Sequence, residues 1–184
     1  NIFNLSKAIF CLIMYESEYE IISKTTLLPI AYQFDYLTLR STISQSTGCN
    51  FKYVINTGTT NEWALYRPRN DGTSGTYYFK IYENASNTSQ ANNFMSNVNT
   101  LSNKEAAYYA AATATVVAAT FAGFMVGFAT GTAGALAPAA IAAIVAAAGA
   151  AGAAAVAGQA VGTQCNNCMY AIDNVYYATN NMHF

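Results

Sequence analysis

Residues 106–172 read AAYYAAATATVVAATFAGFMVGFATGTAGALAPAAIAAIVAAAGAAGAAAVAGQAVGTQCNNCMYAI, a stretch of 67 residues without a single Asp, Glu, Lys or Arg. The stretch reads as a tightly packed helical hairpin made for an apolar setting, either a membrane or the protein's own core. Two helical halves are predicted, over 104–130 and 138–162, joined by Gly131-Thr132-Ala133-Gly134-Ala135-Leu136-Ala137. Pro138 suits the first turn of the second half, where no amide donor is needed. Gly123, Gly127 and Gly131 recur every fourth residue, and Gly158 and Gly162 do so again, giving each half a smooth strip on which another backbone can approach closely. Gly149 and Gly152 extend the second strip. Glycine inside a helix costs about 1 kcal/mol relative to alanine, so this many glycines predict close helix packing as the offset.

At about 1.5 Å per residue each half measures roughly 35 to 40 Å, enough to cross a hydrocarbon layer about 30 Å thick. The first half carries Val116, Val117, Phe121, Phe124, Met125, Val126 and Phe128, whereas the second is mostly alanine with Ile141, Ile144, Val145 and Val156. An Ala-rich segment is only marginally driven into lipid, so the hairpin is expected to be conditional: packed in a water-stable form, inserted when a membrane is present. Tyr108 and Tyr109 open the first half and Tyr170, Tyr176 and Tyr177 follow the second. In a simple hairpin these share one end, where interfacial aromatics would sit.

An uncharged Ala/Gly-rich hairpin carried by a more polar region resembles the hydrophobic hairpin of colicin-type channel-forming toxins. The likeness is one of character, not of a matched motif, and covers about a third of the chain. It implies membrane insertion and a toxin-like role. Colicin pore domains are all-helical, whereas residues 50–83 here read as β.

Upstream of the hairpin, Ser102 and Glu105 have the spacing of a capping box, in which the hydroxyl and the carboxylate satisfy free amides of a first helical turn. Residues 84–103, rich in Asn and Ser, read as a polar connector with one helical turn near Phe94, Met95 and Val98. Strands are predicted over 51–56, 62–66 and 77–82 from their β-branched and aromatic runs. Pro68, Asn70-Asp71-Gly72 and Gly75 supply turn chemistry for an antiparallel hairpin between the last two. Alternation points Tyr77, Phe79 and Ile81 to one face and Tyr78, Lys80 and Tyr82 to the other, the second being the solvent side. Residues 2–22, with Leu5, Ile9, Leu12 and Ile13 at helical spacings, read as an amphipathic helix. The expected fold class is therefore α+β: an N-terminal helix and small antiparallel sheet in 1–104, a hydrophobic helical hairpin in 105–162, and a C-terminal segment, 163–184, packed on the rest as one unit.

Charged residues are 9% of the 184, against about 25% in ordinary soluble proteins. The net charge of −1 provides no basic cluster for nucleic acid. Three Asn-x-Ser sequons, at Asn4, Asn84 and Asn87, are compatible with secretion, and a first residue that is Asn rather than Met is expected of either a processed mature form or a fragment whose targeting segment is gone. Four cysteines, Cys11, Cys49, Cys165 and Cys168, allow two disulfides in three pairings.

Catalysis lacks parts: the one histidine, His183, stands beside the C-terminus, and no Gly-x-Ser-x-Gly, His-Glu-x-x-His or phosphate-binding loop occurs. Glu16, Glu18 and Glu20 diverge around a helix rather than pairing. Cys165-Asn-Asn-Cys168 is the one local pattern with chemistry in it: a disulfide or two buried thiols, an acylation point, or half a zinc site. Zinc would need two ligands from Cys11, Cys49 or His183, and no second closely spaced pair exists, so no metal is expected. No motif calls for a cofactor, although a fatty-acyl chain, bound or attached to a cysteine, would suit an apolar hairpin.

The leading expectation is a secreted, membrane-associated protein of toxin or virulence type, which inserts its hairpin into lipid and assembles as a homo-oligomer where it forms a pore. Two alternatives stand beside it: a lipid-binding or cysteine-acylated effector with the hairpin as buried core, and a structural subunit of a membrane-containing shell or filament.

Overall fold

The computed structural model describes residues 19–21, 39–58, 60–69, 75–130 and 135–179. Five strands, β1 (Tyr19–Ile21), β2 (Leu39–Ser46), β3 (Lys52–Asn56), β4 (Glu62–Pro68) and β5 (Thr76–Tyr82), form one antiparallel sheet in chain order. Among the described residues four helices follow: α1 (Thr88–Ala111), α2 (Ala114–Thr130), α3 (Pro138–Ala147) and α4 (Ala153–Ala178). The fold is α+β. Of the N-terminal helix expected over 2–22, residues 2–18 and 22 lie outside the described residues. Residues 19–21 are a strand instead, because the edge of β2 offers them a ladder: Tyr19 pairs with Ser41 and Ile21 with Leu39.

The three predicted strands are present within a residue or two of their expected limits, and the register shows why. Tyr53, Leu65 and Phe79 form one cross-strand row, Ile55, Trp63 and Ile81 the next. All six are buried, so alternation puts one whole face of the sheet into the core. The opposite face is held by lesser contacts: Tyr66 stacks on Tyr78 at 5.5 Å, Lys52 lies over the Tyr66 ring, and Lys80 pairs with Glu62 at 2.7 Å. Tyr78 and Tyr82 are exposed there, as the alternation requires.

Residues 84–103 differ from expectation, for α1 begins at Thr88 and runs through most of this Asn/Ser-rich stretch. Its buried positions are Ala91, Phe94, Val98, Leu101, Glu105 and Tyr108, alternating three and four residues apart. That is a complete stripe for helix packing. It meets a matching stripe on α4 at Val161, Cys165, Cys168, Ile172 and Val175, and α1 with α4 is the most extensive helix pair among the described residues. Tertiary burial thus overrides the weak helix propensity of Asn and Ser. The Ser102 and Glu105 box is accordingly absent: Ser102 lies mid-helix and accepts a hydrogen bond from Gln45 at 3.0 Å. At the true helix start Asn87 is buried, its amide oxygen accepting from the Asn84 N–H at 2.9 Å and its amide nitrogen donating to Tyr82 at 3.0 Å. In this fold the Asn87 sequon cannot carry a glycan, whereas Asn84 is exposed.

The uncharged region is helical but cut into shorter pieces than the two expected halves. Ala112 is extended, φ −130° and ψ 157°, and the Thr113 hydroxyl accepts from the Val116 amide to start α2. The second half breaks at 148–152, where Gly149 (φ 87°) and Gly152 (φ 55°) adopt backbone angles open to glycine and costly for other residues. Pro138 occupies the first turn of α3, as predicted.

Candidate functional site

The glycines of the hairpin mark where helices touch. A Cβ on Gly123 would lie 2.5 Å from Ile144 of α3, and one on Gly127 would lie 2.5 Å from Leu136. On α4, a Cβ at Gly162 would meet Ile141 at 2.5 Å and the Phe124 ring at 2.8 Å, and one at Gly158 would meet Tyr108 and Val145 at 3.1 Å. These four glycines therefore join α2 to α3, and α4 to α1, α2 and α3, each missing side chain being replaced by a large one from a neighbour. Gly131 lies outside the described residues. The room foreseen for an acyl chain among the small residues is, at these four points, already filled by Ile, Leu, Val, Tyr and Phe.

The link before α3 is fastened by α4. Asn166 accepts the Leu136 N–H at 2.8 Å through its amide oxygen and donates to the Leu136 carbonyl at 2.6 Å, and Leu136 is the side chain that fills the Gly127 slot. Replacing Asn166 with Ala is expected to cost about 1 to 2 kcal/mol, because a part-buried amide loses its partner. The urea midpoint should fall accordingly. Hydrogen exchange of the Leu136 amide should accelerate more than that of amides in the sheet; equal acceleration throughout would show that the link is not held locally.

The expected aromatic belt is not formed. Tyr108 is 0% exposed, with its hydroxyl 2.7 Å from that of Thr120, while its neighbour Tyr109 is 54% exposed. The two residues sit about 100° apart around the helix, so only Tyr108 faces the slot above Gly158. Tyr170 is 57% exposed, but it stands elsewhere: α1 and α4 run antiparallel, with Tyr108 level with Gly158, and twelve residues along a helix cover about 18 Å. Long helices that pack directly on each other, rather than a simple two-helix hairpin, separate the two ends.

The cysteines meet a residue whose role its sequence position did not reveal. Cys49, in the turn between β2 and β3, and Cys165 and Cys168, on α4, are free and buried. Glu105 of α1 reaches this turn: its carboxylate accepts the Gly48 N–H at 2.8 Å and the Cys49 N–H at 3.0 Å. Burial pushes the Glu105 carboxyl above its ordinary value, opposed by the amides of Gly48 and Cys49. Burial likewise raises the Cys49 thiol, with the adjacent Cys165 sulfur adding to the effect, and burial is again the main reason the Cys168 thiol is raised. Such thiols stay protonated and are poor nucleophiles. Next to them, Gln164 bridges the helices, accepting from Lys104 Nζ at 3.0 Å and donating to the Asn97 side chain at 2.9 Å. The signal for Glu105 was its place in the α1 stripe, where a charge interrupts an apolar series. Cys11 and His183 lie outside the described residues. Among the described residues, no group of three or more His, Cys, Asp or Glu is placed to hold a metal ion.

Outside this core the surface of α2 and α3 is uncharged. Val126 on α2 and Val156 on α4 are 64% and 72% exposed, and the other outward positions of the two helices are mostly Ala and Thr. Among the described residues no helix is long and apolar enough to cross a membrane: the breaks at 112–113 and 148–152 leave α2 with 17 residues and α3 with 10, where crossing takes about 20. Compared with known proteins, the chain matches no protein-family model, no curated protein and no solved structure.

Proposed function

We propose that the protein is a secreted, membrane-inserting protein of toxin type whose α2–α3 unit leaves the water-stable fold and enters lipid. The observation carrying this reading is that 106–162 bears no charge on its outer surface or its inner one. Nothing in α2 or α3 would have to be dragged unpaired into hydrocarbon. The breaks that shorten the helices are local to the folded form. Ala112 and Thr113 are not helix breakers of the Gly or Pro kind, and lipid penalises every unpaired backbone group, so a non-aqueous setting favours rejoining the helix across them. Rejoined segments over 106–130 and 138–162 have the length needed to span. Gly149 and Gly152 are the weaker joint, because glycine gives up most entropy on becoming helical.

On this reading the hairpin acts as in the channel-forming toxins it resembles. One chain supplies two spanning segments, too few to enclose water, so a pore needs several copies. The folded protein keeps its apolar seam closed through Gly123, Gly127, Gly158 and Gly162 until a bilayer competes for it. Dye release from phosphatidylcholine and phosphatidylglycerol vesicles between pH 4 and 8, with helicity followed by circular dichroism, is the test. Leakage is expected together with a rise in helicity. Absence of both vesicle binding and leakage at every pH removes the proposal.

A further inference from the structure

We propose that β5 is a docking edge for a second copy of this chain: two β5 strands pair antiparallel about a two-fold axis at Phe79 and join two sheets into one. β5 ends the sheet, with β4 on one side and no described strand on the other. In an antiparallel ladder the N–H and C=O of one residue point to the same neighbour, and those of the next residue point away from it. Just past one end of β5 the Glu83 N–H donates to the Asn61 carbonyl at 2.9 Å, and just before the other the Arg69 N–H donates to the Gly75 carbonyl at 3.1 Å. The odd-numbered residues therefore face β4, and Thr76, Tyr78, Lys80 and Tyr82 turn their backbone groups outward. Tyr82 agrees, for its carbonyl accepts from the Asn87 and Asn84 side chains, at 3.0 and 3.3 Å. Among the described residues no hydrogen bond reaches the backbone of Thr76, Tyr78 or Lys80.

Sheets keep an open edge from pairing by means of proline, a bulge or an unpaired charge. β5 uses none of them. Its sequence, TYYFKIY, has no proline, and its register against β4 is continuous from Thr76 to Tyr82. Its one charge, Lys80, is paired with Glu62 at 2.7 Å.

The strand is complementary to itself, which makes a second copy its occupant. With Phe79 on the axis, Tyr78 stands opposite the partner's Lys80 and Thr76 opposite the partner's Tyr82, so outward backbone groups meet outward backbone groups along the whole strand. On the buried face Phe79 meets the partner's Phe79 and Tyr77 the partner's Ile81, so the apolar row of one sheet runs into that of the other. On the opposite face each Lys80 ammonium meets the electron-rich ring of a Tyr78, a pairing of the kind the sheet already holds in Lys52 over Tyr66 at 5.3 Å. Tyr78 is 59% exposed in the single chain, so its ring is open to this contact. Moving the axis to Lys80 sets two like charges opposite each other, which is unfavourable, and leaves Thr76 and Tyr77 unpaired; moving it to Tyr78 leaves Ile81 and Tyr82 unpaired. The contact belongs to the folded protein in water and does not rest on membrane insertion.

Sedimentation velocity of the full chain from about 1 to about 300 µM should show a monomer passing to a dimer with Kd on the order of 10 µM, the weak end for a small interface. Over the same range hydrogen exchange of the Tyr78, Lys80 and Tyr82 amides should slow by about fivefold or more, following the dimer fraction. The amides of Tyr77, Phe79 and Ile81, already bonded to β4, should not change. Two substitutions at one exposed position fix the register. Tyr78→Lys faces the partner's Lys80 with a like charge and should raise Kd roughly threefold or more, whereas Tyr78→Glu faces it with an opposite charge and should lower Kd by a similar factor. A monomer at every concentration, the result if this edge takes a strand of another protein instead, overturns the proposal. So does a dimer in which the Tyr78 and Lys80 amides exchange as in the monomer, or one whose Kd moves in the same direction for both substitutions.

Discussion

Glu105→Ala is expected to lower stability by about 2 to 4 kcal/mol, the largest loss from any single polar side chain described above. The substitution removes the acceptor of two backbone amides, and a buried donor left unsatisfied costs about 1 to 3 kcal/mol. The Cys49 amide is buried and carries most of the loss; Gly48 is exposed and can turn to water. Glu105→Gln keeps an acceptor oxygen but aims an amide N–H at one of the two donors, so its loss should fall between wild type and Ala. Urea denaturation at pH 7 measures the series. Equal midpoints for all three proteins would show that the carboxylate does not hold the turn.

The same residue sets a pH dependence of definite sign. Its carboxyl is raised in the fold above the ordinary 4.5, chiefly by burial, so the folded chain binds the proton more tightly than the unfolded chain. That contribution to stability is complete below about pH 4.5 and is lost as pH rises through the higher folded value. Asp173, raised by burial against the pull of Arg67, acts with the same sign. Glu105→Gln should therefore flatten, without abolishing, the fall in urea midpoint between pH 4 and pH 7. A slope unchanged by the substitution would show that Glu105 does not titrate differently in the two states.

Gly162→Leu should cost about 3 kcal/mol, at the upper end for overpacking, and lower Tm by roughly 6 to 12 °C. Even the first carbon added would stand 2.5 Å from the branched Cγ2 of Ile141 and 2.8 Å from the Phe124 ring. Neither neighbour can swing away, since both are buried. Gly127→Ala is the instructive contrast. There the closest atom is the Cδ2 end of Leu136, which can change rotamer, so the loss should be under about 1.5 kcal/mol. Val156→Ala, on the exposed side of α4, should stay within about 0.5 kcal/mol. A Gly162→Leu protein that melts like wild type would mean that α3 and α4 are not in contact at this glycine.

Residue order by itself determined whatever depends on neighbours in the chain. β-branched and aromatic runs over 51–56, 62–66 and 77–82 set the strands, and alternation over 77–82 set the buried face of the last, because side chains in a strand point to opposite sides whatever lies beyond them. The uncharged, Ala-rich composition of 106–172 marked that region as apolar and largely helical, the four-residue spacing of its glycines marked a packing seam, and Pro138 marked a helix start. Only tertiary structure decided the rest. The Asn-rich first half of α1 is helical because Ala91, Phe94, Val98 and Leu101 find a matching stripe on α4, a gain invisible to a reading of propensities. Where the long helices break depends on docking: Tyr108 is seated over Gly158, and the Phe121 side chain lies against Gly48. The cluster of Cys49, Glu105, Cys165 and Cys168 was least legible, for its members lie up to 119 positions apart. No local period brings them together; only the packing of the sheet on α1 and α4 does.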